Sequence, residues 1–315
     1  MKIINNIKYQ YHYKVLTDLI SSNEFTKFFN TLRTKIDNKE IFLRLLSDLG
    51  LPFIQKNNIE IFKNKIIWVN SFLKSDTDYI SNFLDYYLSK LNEPLLVKDY
   101  PSAIIDELKK YENTQKLTLS DFLNFSYLYQ FLILNNNNLC NIIKNELPFF
   151  SQNNNLNFSK NNLTQCYLYV VDHPFNVYEQ IKLMNGNDHE IAKNIFLNLD
   201  AHVAHQTVKD VEVEVLKKGW DVHVNSWIDT NVINTLNGKI ILKKDLINEP
   251  FDVLSSVVLH IIQSGVKVKI DYEIIEKFVN DNPIKSFDSA KNLSQKEKKF
   301  INQYVGKITD TINFD

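Results

Sequence analysis

The sequence predicts an α/β protein in which a P-loop-like parallel sheet is flanked by helices, with a helical extension at the N-terminus. Three observations carry that expectation. Short, almost wholly apolar runs recur along the chain, with the length and composition of strands buried on both faces. Longer segments between them place apolar residues at helical spacing. At 315 residues, the chain can bury an ample core without a disulfide or metal staple. Strands alternating with helices imply a parallel sheet covered on both sides.

Taken in order, residues 1–60 read as the helical extension. Leu16, Leu19 and Ile20, then Phe25, Phe28, Phe29 and Leu32, then Ile41, Leu43, Leu45 and Leu46 recur at helical spacing. Residues 61–315 read as the α/β domain. Its first strand is Lys65-Ile66-Ile67-Trp68-Val69-Asn70-Ser71. A helix follows over 79–91, with Ile80, Phe83, Leu84 and Leu88 on one side. A helical stretch around 103–128 leads to a second expected strand, Phe131-Leu132-Ile133-Leu134. The third is Cys166-Tyr167-Leu168-Tyr169-Val170-Val171, with Pro174 at a helix start. Helices are expected over 188–218, 222–235, 250–264 and 271–280, and a fourth strand at Lys239-Ile240-Ile241-Leu242. The Asn-rich stretches 135–138 and 153–162 read as loops.

Composition excludes some classes of function. Thirty-six basic and 37 acidic residues give a net charge of −1, which argues against a nucleic-acid binder driven by bulk charge. Arginine occurs only at Arg33 and Arg44, so the body of the chain holds no bidentate Arg–phosphate clamp. Cys140 and Cys166 make no disulfide framework, and a reducing cytoplasm is expected. Lys2, Lys8 and Lys14 enclose no apolar stretch, so no signal peptide is expected. The run 253–266 is interrupted by Ser255, Ser256, His260, Gln263 and Ser264, too polar and too short to span a bilayer. His202 and His205 would share a helix face, but no third ligand stands at a metal-binding spacing, and no metal is expected.

Residues after each buried run are the ones a ligand would meet. After the first comes Phe72-Leu73-Lys74-Ser75-Asp76-Thr77-Asp78-Tyr79. A strand, then Lys-Ser/Thr, then a helix is the shape of a phosphate loop. Here the chain resembles the cytosolic-type sulfotransferases, whose members read roughly I-W-x-x-S-Y-P-K-S-G-N/T-T-W and bind the phosphosulfate of PAPS, the activated sulfate donor. Tyr169-Val170-Val171-Asp172-His173-Pro174-Phe175-Asn176-Val177, with Gln180 beyond it, resembles the family's second signature, Y-V-V-R-D-P-R-N-V and then Ser, which binds the 3′-phosphate. Gly219 to Trp227 resembles a W-x-x-H-V-x-S-W segment, and Ile240 to Leu246 an R-Y-E-D-L segment. The resemblance covers roughly residues 62–315 and implies the sulfotransferase fold.

The departures fall on the donor-binding positions. Lys74, Ser75 and Thr77 remain, while Asp76 and Asp78 stand where the family has Gly and Thr. Asp172 replaces the arginine and Gln180 the serine. Glycine lets a phosphate loop turn several N–H groups toward the oxygens, whereas an aspartate adds a Cβ and a negative charge. A helix dipole offsets only about 0.3–1 kcal/mol of that repulsion, and a lost charge-assisted bond costs roughly 1.5–3 kcal/mol. The family's catalytic histidine lies in a Lys-Thr-His segment after the second strand. Anchored on 131–134, that position is Asn136, which cannot accept a proton at neutral pH. His173, beside Asp172, is the alternative base, or both are turn residues before Pro174. Lys243 and Lys244 read as solvated surface.

The resemblance therefore implies a sulfotransferase-like protein that has lost ordinary PAPS binding and acts by binding a protein partner, a second copy of itself or an acceptor-like ligand. The alternative is a diverged sulfotransferase that uses PAPS to sulfate a hydroxyl or amine on a small molecule or glycan. Neither reading calls for a nucleic acid or a membrane span.

Overall fold

The computed structural model describes residues 65–109, 115–119, 122, 126, 129–130, 133–134, 140–149, 151–152, 156–157, 159, 163–197, 202–284, 292–309, 312 and 314. The expected extension over 1–60 lies outside them. The chain divides into two compact units, the larger comprising Asn64–Tyr100, Leu139–Ala204 and Leu216–Asp315.

The larger unit is built on five parallel strands. In chain order they are β1 (Ile66–Ser71), β2 (Leu95–Asp99), β4 (Cys140–Asn145), β7 (Thr164–Val171) and β10 (Gly238–Leu242), with β3 (Lys116–Leu117), β5 (Ser151–Gln152) and β6 (Leu156–Asn157) outside this sheet. The spatial order is β10-β7-β1-β4-β2. β1 is central, and every one of its six residues is buried, as its unbroken apolar character requires. One face carries Ile67, Val69, Ile142, Leu168, Val170 and Ile241. Against it pack helices α1 (Lys74–Lys90), α8 (Pro250–Gln263) and α9 (Tyr272–Asp281), through Phe83, Leu84, Val257, Val258 and Phe278. Each such side chain contributes roughly 1.5–3 kcal/mol on full burial. Alternation along the strands places Trp68, Tyr167 and Tyr169 on the opposite face. There Tyr169 stacks on Trp227 of α5 (Trp220–Ile228) at a centroid distance of 6.0 Å.

The α/β class with a parallel sheet between helices is the one the sequence predicts. Local expectations are corrected: β3 breaks the helical stretch expected around 103–128, and β6 lies in the loop expected over 153–162. The strand beside β1 is not 131–134: Ile133 and Leu134 are helical, and β4 occupies the place. The expected helix over 188–218 stops early, as α3 (Pro174–Met184) is followed by α4 (His189–Phe196) and then by strands β8 (His202–Val208) and β9 (Val211–Lys217). Along β9, buried Val211, Val213 and Val215 alternate with Glu212 and Glu214, the period of a strand. Lys209 and Asp210 have φ of 48° and 66°, so the two-residue turn is of the hairpin type I′ class. The expected helix over 222–235 is two, because Asp229 ends α5 and its carboxylate caps α6 (Thr230–Leu236) by accepting from the N–H groups of Asn231 and Val232.

The second compact unit includes Pro101–Asn138 and His205–Val215. Within it, α2 (Ser102–Lys109) supplies Asp106, whose carboxylate holds Lys209 at the hairpin tip. β3 pairs in parallel with β9. The remaining helices, α7 (Lys243–Asn248) and α10 (Gln295–Thr309), belong to the larger unit.

Candidate functional site

Parallel strands end at one edge of their sheet, and ligands of such folds bind there. At that edge the turn from β1 into α1 is closed by the Ser71 hydroxyl, which donates to the Leu73 carbonyl. Leu73 is the N-cap and supplies no capping side chain. Lys74 and Ser75 begin the helix. Thr77 is buried. Asp78 does not cap the helix.

Asp76, in the first turn, faces a counter-charge instead. Its Oδ1 lies 2.7 Å from Lys243 Nζ, and the same ammonium lies 2.7 Å from Asp172 Oδ2. The carboxylates are 3% and 4% exposed and the lysine side chain 15%, so water screens this triad little. Burial opposes the lysine's charge, but attraction from Asp76 and Asp172 and hydrogen bonds to both hold its ammonium above the ordinary lysine range. The expectation that Lys243 is solvated surface is thus corrected. As the first residue after β10, it reaches across the end of β7 to the start of α1.

Asp172 is saturated with donors. Its Oδ1 accepts from the His173 backbone N–H at 2.7 Å and from Asn176 Nδ2 at 2.9 Å. Its Oδ2 also accepts from Gln180 Nε2 at 3.3 Å. Asp172 and Gln180, the two positions that the resemblance assigns to the 3′-phosphate, are bonded to each other.

A second triad flanks the other side of the α1 N-terminus. Lys144 on β4 lies 2.8 Å from Asp78 Oδ1 and 2.9 Å from Asp99 Oδ1, at the end of β2. Both carboxylates are about 40% exposed, so this pair of contacts is worth little beside the inner one.

His173 is the N-cap of α3. Its Nδ1 accepts from the Phe175 N–H at 3.1 Å, which leaves the proton of a neutral ring on Nε2. A ring in that tautomer is a donor at Nε2, and using it as a base would cost the cap. Asp172 bonds to the backbone N–H of His173. His202 and His205 lie on strand β8, not on a helix.

Asn136 lies outside the described residues. β4, one of the two neighbours of β1, ends at Asn145, which puts Lys144, Asn145 and Glu146 at the ligand-binding edge. The sequence signal was there, in a buried Ile142-Ile143 pair followed directly by a lysine, but the more apolar run at 131–134 obscured it.

The segment from 145 to 149 is held from both sides. The Asn145 side chain donates to the Leu147 carbonyl at 3.0 Å and accepts from the Leu147 N–H at 3.1 Å. From α5, His223 Nε2 lies 3.2 Å from the Glu146 carbonyl and Trp227 Nε1 donates to the Leu147 carbonyl at 3.1 Å. The Phe149 N–H donates to Ser226 Oγ at 3.0 Å. His223 is buried, and burial pushes its ring down to about 3. Its Nδ1 lies 2.8 Å from the Tyr169 hydroxyl. Asn145, Leu147 and Pro148 are buried, while Glu146 is exposed.

The chain is similar to a mouse sulfotransferase. That solved structure, SULT7A1 complexed with PAP, shares 12% identity over 79% of this chain and 86% of its own, with a TM-score of 0.44. No family model matches the chain, and no curated protein matches it. Among the described residues, no helix is long and apolar enough to cross a membrane.

Proposed function

We propose that this is a sulfotransferase-like protein whose donor pocket is closed by its own charges, and that it works by binding a partner or an acceptor-like ligand instead of turning over PAPS. One observation carries the reading: the buried Asp76–Lys243–Asp172 triad. A bis-phosphorylated nucleotide brings several negative charges to a site where two carboxylates already share one ammonium. For Lys243 to serve the nucleotide, it would have to break its ion pairs with two buried aspartates, which costs about 3–5 kcal/mol. The residues present therefore do not fit PAPS. The binding partner is a protein, a second copy of the chain, or a hydroxyl- or amine-bearing small molecule or glycan held without the donor. The cytoplasm is the compartment that fits two free, buried cysteines.

Restoring the family residues tests this. A protein carrying Asp76→Gly and Asp172→Arg should gain a thermal shift with adenosine 3′,5′-bisphosphate that the native chain lacks. An equal shift in both would sink the proposal.

A second reading is favoured by Glu146. Anchored on β4 instead of 131–134, the family's Lys-Thr-His segment falls on Lys144-Asn145-Glu146, and a carboxylate there can take a proton from a hydroxyl or amine, as a working, diverged transferase would need. An acceptor screen with native protein and Glu146→Gln decides it. Turnover by the first and loss of that turnover in the second would establish transfer.

A further inference from the structure

We infer that His223 is a positioning residue: held in place by its hydrogen bond with Tyr169, it fixes through a backbone hydrogen bond the segment that presents Glu146 at the ligand-binding edge. The inference rests on reading Glu146 as the ligand-facing carboxylate of the site proposed above.

The geometry dictates the proton positions. A carbonyl oxygen can only accept, so at 3.2 Å from the Glu146 carbonyl the ring must carry its proton on Nε2. Nδ1 is then bare and accepts from the Tyr169 hydroxyl at 2.8 Å. The Glu146 carbonyl thus sets the tautomer, and Tyr169 holds the ring in place through the bare nitrogen. The ring has little freedom to leave this arrangement. It stacks on Tyr169 at a centroid distance of 5.8 Å, and Phe72 meets its edge at 5.3 Å. A cationic ring would carry a proton on Nδ1 as well, and the Tyr169 hydroxyl would then accept instead of donate.

The anchor is local to the functional edge. Phe72 directly follows β1, and Tyr169 lies on β7 three residues before Asp172. His223, Ser226 and Trp227 project from one helix onto three backbone groups, the Glu146 carbonyl, the Phe149 N–H and the Leu147 carbonyl. Packing alone would not need a hydrogen bond to each. In the clamped stretch from 145 to 148, Glu146 is the one exposed residue. A rigid backbone under a single exposed carboxylate limits where that carboxylate can reach, which is the supporting role that ligand-facing groups require.

A nitroxide spin label on a Glu146→Cys protein reads the order of this position directly. Cys140 and Cys166 are buried, with thiols pushed up to about 12, so labelling is confined to residue 146. The label should be immobilised in the otherwise native chain and become mobile when His223→Leu keeps the bulk but removes the donor. Tyr169→Phe, which removes the hydrogen bond at Nδ1, should mobilise it in part. His223→Gln, which can still offer an N–H near the Nε2 position, should restore the immobile spectrum. Should His223→Leu fail to fold, Tyr169→Phe decides. An immobile label in every variant, or a Gln variant as mobile as the Leu variant, overturns the inference. No sulfate donor is needed, so the result is separate from whether the chain binds or uses PAPS.

Discussion

Removing the Lys243 ammonium takes from the buried Asp76 and Asp172 the ion pair that they share. Lys243→Ala should therefore destabilise by about 3–5 kcal/mol in a denaturant titration, and adding Asp76→Asn and Asp172→Asn should recover much of the loss. A loss below about 1 kcal/mol would mean that the triad is screened like a surface pair. His223 sets the acid side of stability. Its ring protonates near 6.5 in the unfolded chain but only at about 3 in the folded one, so between those values the unfolded state binds a proton that the folded state does not. Stability should fall as pH drops through that window, and His223→Gln should flatten the fall. A native pH profile with the same slope as that variant would contradict the burial argument. Asp76, Asp78, Asp172 and Gln180 were legible as departures from a phosphate-binding pattern. Lys243 was not, because nothing in Leu242-Lys243-Lys244 says which lysine turns inward, and the counter-charge it answers lies far away in sequence.

At the scale of elements, β1, β7 and β10 were readable because a strand buried on both faces needs an unbroken apolar run. β4 was hidden for the complementary reason: Asn141, Lys144 and Asn145 interrupt it, although all but Lys144 are buried. The β8–β9 hairpin had a visible sign in Val211-Glu212-Val213-Glu214-Val215, which alternates as a strand does. Its turn concealed it. Lys209-Asp210 lacks the Asn or Gly that the type I′ turn favours, and both residues take positive φ. Non-glycine residues in that region cost roughly 1–2 kcal/mol each. Replacing the pair with Asn-Gly should therefore raise the melting temperature, as read by circular dichroism; an unchanged or lower value would mean that the Lys209–Asp106 ion pair outweighs the backbone strain.

Over the whole molecule, the two charge triads follow from the topology. Order β10-β7-β1-β4-β2 places the ends of β10 and β7 on one side of the α1 N-terminus and those of β4 and β2 on the other. Each side supplies one lysine and one aspartate from a strand end, and α1 supplies a further aspartate to each. The α1 N-terminus is thereby ringed by internal ion pairs. This is why the fold could be read from the sequence while the state of the site needed coordinates. The central claim is tested most directly by calorimetric titration of the native protein with adenosine 3′,5′-bisphosphate. The triad predicts no binding heat at millimolar ligand. Saturable binding in the micromolar range would show that the lysines can be recruited from their aspartates, and would contradict the account.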